Sequence, residues 1–239
     1  MEDGSIFMEI LGVKIDNFSQ EELFQKIEGF LVSDRFHQIA TVNPEFILQT
    51  QKDDRFKKIL NGCDLNVADG IGIKFAFLFQ GKKLKCRMPG IDLMIKILEI
   101  ANRKNMKIFL ATKDGGLSSW QETSGVLKKI FPNVEIDGEN IDVSNTKYQI
   151  PNTKYDIVFC AFGSPAQEKF LNGLKNGKIK LAMGIGGGFD YLTGKIKRAP
   201  KWMRKIGLEW LFRLILEPRY RFKRIWNAVI VFSIKVIKN

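Results

Sequence analysis

Apolar residues recur along this chain at two alternating spacings. Near-continuous apolar runs at 107–112, 155–163 and 179–188 predict buried strands, with shorter strands at 37–43, 64–70 and over NVEIDG. Between them, apolar positions three and four apart predict helices at 90–104 (Leu93, Ile97, Ile100) and 117–131, the latter stopped by Pro132. Ser19 and Glu22 form a capping-box pair that opens a helix running to about Leu31. Shorter helices are predicted at 53–60, 71–79 and 165–175, Pro44 starts a turn or helix, and 144–153 reads as a polar loop. Strand and helix in alternation predict an α/β fold: a mostly parallel, Rossmann-like sheet with helices on both faces. In such a sheet, ligands bind at the carboxyl ends of the strands.

Charge divides the chain in two. Residues 195–239 hold thirteen Lys and Arg against two acids, leaving twenty-five against twenty-four in residues 1–194. Nearly all of the formal net charge of +12 therefore belongs to the tail. This predicts a catalytic α/β domain over 1–194 and a basic, amphipathic helical appendage over 195–239. The bases of the tail stand among Trp, Phe, Leu and Ile, a composition that suits the interface of an anionic membrane. The apolar run 225–234 falls short of the roughly 20 residues needed to span a bilayer. A buried C-terminal helix with a basic edge and a nucleic-acid arm are the alternatives; the interleaved apolar residues disfavour nucleic acid. Apolar surface of this kind also permits a homo-oligomer.

Composition removes several chemistries. His37 is the only histidine, and Cys63, Cys86 and Cys160 form no CxxC pair. No metal site is expected, and a histidine-based nucleophile mechanism would have to run through His37 alone. The odd cysteine count without a framework fits a reducing cytoplasm. The opening MEDGSIFMEI carries acids where a secretory signal would carry bases, so no such signal is expected.

Four polar clusters fall at predicted strand ends. Thr41 and Asn43 could hold a sugar or ribose, and Asn43 equally suits a helix cap. Asp69-Gly70 offers a candidate general base beside a residue that permits close approach, and a cap is again the alternative. Gly163-Ser164-Pro165 opens a helix whose first turn holds Gln167 and Glu168, a setting for a phosphate. Gly184-Ile-Gly186-Gly187-Gly188 allows a diphosphate or sugar to come near. It lies too late in the chain for the dinucleotide fingerprint, which belongs to the first strand–helix turn.

These motifs, with Arg87-Met-Pro-Gly90, Arg198-Ala-Pro200 and Gly207-Leu-Glu-Trp-Leu-Phe-Arg213, resemble the WecG/TagA/CpsF family of bacterial glycosyltransferases from about Glu9 to Arg224. The resemblance implies transfer of N-acetylmannosamine from UDP onto undecaprenyl-diphosphate-linked N-acetylglucosamine, the linkage-unit step of wall teichoic acid synthesis. Another UDP-sugar donor, such as UDP-N-acetylmannosaminuronic acid, and a membrane-tethered nucleotide-binding module without transferase activity remain as alternatives. An inverting, metal-independent displacement is expected, with no cofactor. Asp69 would be its base. Arg213, Arg221 or Arg224 would neutralise the leaving UDP, Thr41, Asn43 and Gln167 would orient sugar or ribose, and Arg87 would meet donor or acceptor. The expected location is the cytoplasm, peripheral on the inner face of the cell membrane.

Overall fold

The structure, a computed structural model, describes residues 6–144, 150, 155–175 and 178–238. Most of the polar loop expected at 144–153 lies outside the described residues. Six strands form one sheet in the order β4-β3-β8-β7-β5-β6, and every neighbouring pair is parallel. They are β3 (His37–Val42), β4 (Leu65–Ala68), β5 (Lys107–Lys113), β6 (Glu135–Ile141), β7 (Ile157–Cys160) and β8 (Leu181–Gly184). The expected Rossmann-like α/β architecture is present.

The two-residue period of the strands divides the core. Ile39, Ile108, Leu110, Ile157 and Phe159 point to one face, where they meet α1 (Gln20–Val32), α5 (Gly90–Arg103) and α6 (Trp120–Ile130). Ala40, Val42, Phe109, Ala111, Val158 and Cys160 point to the other. That face is covered by α2 (Pro44–Thr50), α3 (Asp54–Asn61), α4 (Ile71–Phe79) and α7 (Ala166–Asn172). Local chemistry sets the helix starts. Ser19 with Glu22 and Ser119 with Glu122 make complete capping boxes on α1 and α6, and Asn43 and Asp53 cap α2 and α3. Pro165, expected inside the first turn of its helix, is instead the residue before α7 begins.

A hairpin precedes all of this and was not anticipated from the sequence. β1 (Phe7–Ile10) and β2 (Val13–Asp16) pair antiparallel around Leu11 and Gly12, whose φ values are +50° and +78°. Two consecutive positive φ angles match the twist of a tight hairpin. Met8, Ile10, Val13 and Ile15 are buried in the core beneath α3 and α4. Unlike the equally short β7 and β8, these strands bury only alternate residues and so have no continuous apolar run to mark them.

After β8 comes α8 (Gly188–Leu192), and the tail follows as α9 (Lys201–Lys205), α10 (Glu209–Leu216), α11 (Pro218–Trp226), a π-helical turn (Asn227–Val231) and α12 (Phe232–Ile237). Its start is fixed by ion pairs: Lys195 to Glu122 at 2.8 Å, and Arg198 bidentate to Asp92 at 2.7 and 2.6 Å. Its end is fixed by burial, since Phe232 and Val236 enter the same core as Ile73 and Phe77 of α4. The tail thus passes from the α5 face of the sheet to the α4 face.

Phe232 is 1% exposed, so truncation leaves a cavity that the surroundings fill only in part. Phe232→Ala is expected to lower the unfolding free energy by about 3–5 kcal/mol in urea denaturation. An unchanged midpoint would mean that α12 does not occupy this core.

Candidate functional site

The sheet order brings all four polar clusters together. β4, β3, β8 and β7 are consecutive neighbours, so Asp69, Thr41 with Asn43, the glycines 184–188 and the 163–168 turn leave adjacent strand ends. Backbone hydrogen bonds extend the ladder into the loops. Asp69 N–H donates to the Val42 carbonyl at 2.8 Å, and Ile185 N–H to the Cys160 carbonyl at 2.9 Å.

Gln167 ties two of these loops into one surface. Its side chain is 2% exposed, and its Oε1 accepts from Gly163 N–H at 3.2 Å and Gly186 N–H at 3.0 Å. Its Nε2 donates to Glu168 Oε1 at 2.6 Å. Both glycines have positive φ, +79° and +50°, a conformation that side-chain-bearing residues rarely adopt. A Cβ on Gly184 would lie 2.4 Å from Gln167 Nε2, so the glycine there makes room for the amide. Gln167 therefore shapes the glycine turns from beneath. Its partner Glu168 is equally buried, and burial pushes that carboxyl up to about 7. Ser164 donates to Gln49 Oε1 at 3.1 Å, and the hydrogen bond from Gln167 opposes the rise at Glu168. Gly187 stands beside Asp190, which accepts from Ser118 Oγ at 2.8 Å.

On the β3 side, Thr41 is buried against the start of α5, where a Cβ on Gly90 would come within 3.0 Å of its hydroxyl. Asn43 is engaged as the cap of α2, its Oδ1 accepting from Phe46 N–H at 3.1 Å.

Asp69 is the electrostatic centre. It keeps some surface open, yet burial pushes its carboxyl up to about 6. The Arg213 and Arg87 cations oppose that rise, while the Glu209 carboxylate adds to it. Arg87 reaches this position because Met88 N–H donates to the Ala68 carbonyl at 3.0 Å. Arg87 also donates to the Arg204 carbonyl of α9 at 2.9 Å, so it joins body to tail as well as facing Asp69.

The tail supplies the remaining cations. Arg213 bonds Glu209 at 2.6 Å, lies 5.0 Å over the Tyr191 ring and has a buried Nε without a hydrogen-bond partner among the described residues. Arg221 binds Glu217 at 2.6 Å, and its charge reaches Tyr191. Arg224 holds Glu45, two residues after Asn43, through contacts of 3.0 and 2.6 Å. Of the three tail arginines expected at the site, Arg213 is thus close enough for its charge to act on Asp69, and Arg224 lies against the α2 start. The turn before α10 approaches closely because Gly207 (φ +82°) has no Cβ; one would sit 2.9 Å from Ile71.

Two partners escaped the sequence reading: Tyr191 beneath Arg213, and the Arg198–Asp92 pair. Aromatic and carboxylate residues are common enough that nothing in the sequence marks these. His37 lies at the opposite end of β3 from Asn43, stacked on Phe30 with Nδ1 3.2 Å from Asp64. Among the described residues, no group of three or more His, Cys, Asp or Glu could hold a metal ion.

Residues 8–239 match the profile of the "Glycosyl transferase WecG/TagA/CpsF family". Similar relatives carry the name N-acetylglucosaminyldiphosphoundecaprenol N-acetyl-beta-D-mannosaminyltransferase. One from Bacillus subtilis (strain 168) is 36% identical over 210 residues, 84% of this chain and 78% of the relative. One from Bacillus spizizenii is 32% identical over 185 residues, covering 75% and 71%. One from Staphylococcus aureus (strain MRSA252) is 29% identical over 245 residues, covering 97% and 92%. With a match that spans the sheet, the strand-end loops and the arginine-bearing tail, the chain belongs to the WecG/TagA/CpsF family of glycosyltransferases.

Proposed function

We propose that this glycosyltransferase moves N-acetylmannosamine to undecaprenyl-diphosphate-linked N-acetylglucosamine, as the names of its relatives indicate for them, and that UDP-N-acetylmannosamine is the donor. The observation that carries the mechanism is Asp69, a half-buried carboxylate at a strand end with arginines from both body and tail beside it. A carboxylate pushed to about 6 is ionised at neutral pH and still basic enough to take a proton in the transition state.

In this reading Asp69 accepts the proton of the acceptor sugar hydroxyl as its oxygen attacks the donor's anomeric carbon. The bond from that carbon to the UDP oxygen breaks with inversion, and UDP leaves with the bonding pair. Arg213, with Arg221 and Arg224 nearby, supplies positive charge for the leaving diphosphate without a metal ion. Guanidinium suits this role because its planar donors match phosphate oxygens. The glycine turns shaped by Gln167 give the diphosphate or sugar close access to backbone, and Thr41 and Asn43 border the same edge. Teichoic acid linkage synthesis is the setting for such a step.

The acceptor's lipid also supports a location at the inner face of the cell membrane. No helix among the described residues is long and apolar enough to cross a membrane. Attachment would be peripheral, through residues 195–239, where Trp202, Phe222 and Trp226 are exposed among the bases.

UDP release from UDP-N-acetylmannosamine, with a water-soluble lipid-diphosphate-N-acetylglucosamine analogue, tests the reading. Asp69→Asn is expected to lower kcat/KM by about 10²- to 10⁴-fold with UDP binding retained. Equal turnover by the mutant would remove Asp69 as base, and UDP binding without release by the intact chain would favour a binding module.

The pH profile provides a second check. Activity should rise with pH through about 6, where Asp69 loses its proton, and level off above it. Because the Arg213 cation favours the ionised form, Arg213→Ala should move this limb to higher pH as well as lower kcat by roughly 10²-fold. A loss of rate with an unmoved limb would separate Arg213 from Asp69.

A further inference from the structure

Helix α4 begins two residues after Asp69 and buries only one side. Ile73, Ala76 and Phe77 enter the core, whereas Phe75, Leu78 and Phe79 are 60%, 53% and 58% exposed. These three stand at i, i+3 and i+4, so they share one face of the helix. Large apolar side chains gathered on one exposed face mark an interaction surface rather than ordinary scatter.

Charge identifies the occupant. Residues 70–91 hold Lys74, Lys82, Lys83, Lys85 and Arg87 and no acid at all. Lys74, Lys83 and Lys85 are exposed; Lys85 lies 3.9 Å from Glu22, a solvent-facing pair of little strength. The adjoining α12 repeats the pattern, with Ile234 and Ile237 exposed beside Lys235 and Lys238. A two-fold contact would press this patch against its own copy and set like charges together. An anionic leaflet attracts the same bases while taking up the apolar side chains.

We propose that the exposed face of α4 is a second membrane contact, belonging to the catalytic body, which lies in the plane of an anionic lipid surface and holds Asp69 at headgroup depth. This rests on the transferase reading for its purpose, since a lipid-borne acceptor sugar would meet the base there. Phe77 of α4 shares its core with Phe232 and Val236 of α12, so body and tail would seat on the bilayer as one unit. The tail would then not be the sole anchor.

The test uses the full chain and vesicles of phosphatidylcholine with or without phosphatidylglycerol. In flotation, replacing Phe75→Ser, Leu78→Ser and Phe79→Ser together should weaken partitioning onto anionic vesicles by about tenfold or more. Lys74→Glu with Lys83→Glu should weaken it on anionic vesicles only. Both variants should keep full turnover on the water-soluble acceptor, which shows the fold and site intact, and lose turnover on the vesicle-borne one. Partitioning equal to the intact chain overturns the proposal. So does loss of self-association in place of vesicle binding, which would assign the face to a second copy. Failure of the intact chain to release UDP from the soluble acceptor would sink the transferase reading, while flotation would still decide whether α4 meets lipid.

Discussion

A single side-chain amide fixes the geometry of the strand-end surface. Gln167 Oε1 accepts from the N–H groups of Gly163 and Gly186, which belong to the turns after two neighbouring strands. Buried polar groups are costly when unpaired, so the amide and the two glycine N–H groups determine one another's positions. Gly184 must lack a Cβ to admit the amide, and Gly163 and Gly186 must adopt positive φ to present their N–H groups to it. The result is a rigid floor of backbone at the centre of the sheet's carboxyl edge.

Apart from Arg87, the cations of the site come from the tail and are held by different physics. Among the tail arginines that end on carboxylates, Arg198 lies on Asp92, Arg213 on Glu209, Arg221 on Glu217 and Arg224 on Glu45. Two of these carboxylates belong to the body and two to the tail itself. Such pairs add modest stability at an exposed surface, but those of Arg198 and Arg224 fix direction, because a planar guanidinium bound at two atoms cannot rotate freely. The tail's charge is therefore not a uniform solvated coat. Arg198, Arg213, Arg221 and Arg224 are engaged by carboxylates, while Lys201, Lys205, Lys223 and Lys238 are exposed. Burial raises the proton affinity of Asp69 and the inward arginines restrain it, a balance suited to a base working near neutrality.

Much of this was legible in the sequence, because it depends on local rules. The capping box at Ser19, the apolar period of α5 and the continuous apolar runs of β5, β7 and β8 are short-range signals, and each produced its element. Glycine at 163 and 186 pointed to special backbone. The hairpin of β1 and β2 was missed because eight residues alternate too briefly to be told from chance. The role of Gln167 was only half legible. Its place in a first helical turn is a sequence fact, but whether its amide faces ligand or protein depends on a turn that arrives 19 residues later.

The sequence by itself determined the α/β class, the positions of the four polar clusters, the basic tail and the family likeness, since these follow from composition, spacing and motif. Only the tertiary structure decided that β4, β3, β8 and β7 stand side by side and so merge the clusters into one edge. It alone decided that the Arg213 charge acts on Asp69 and covers the Tyr191 ring, that Arg224 meets Glu45 across 179 positions, and that Phe232 closes a core begun by Met8. The physical reason is that parallel strands require crossovers, so neighbours in the sheet are distant in the chain. Which strands become neighbours is then set by the simultaneous burial of both sheet faces, and no local pattern records that.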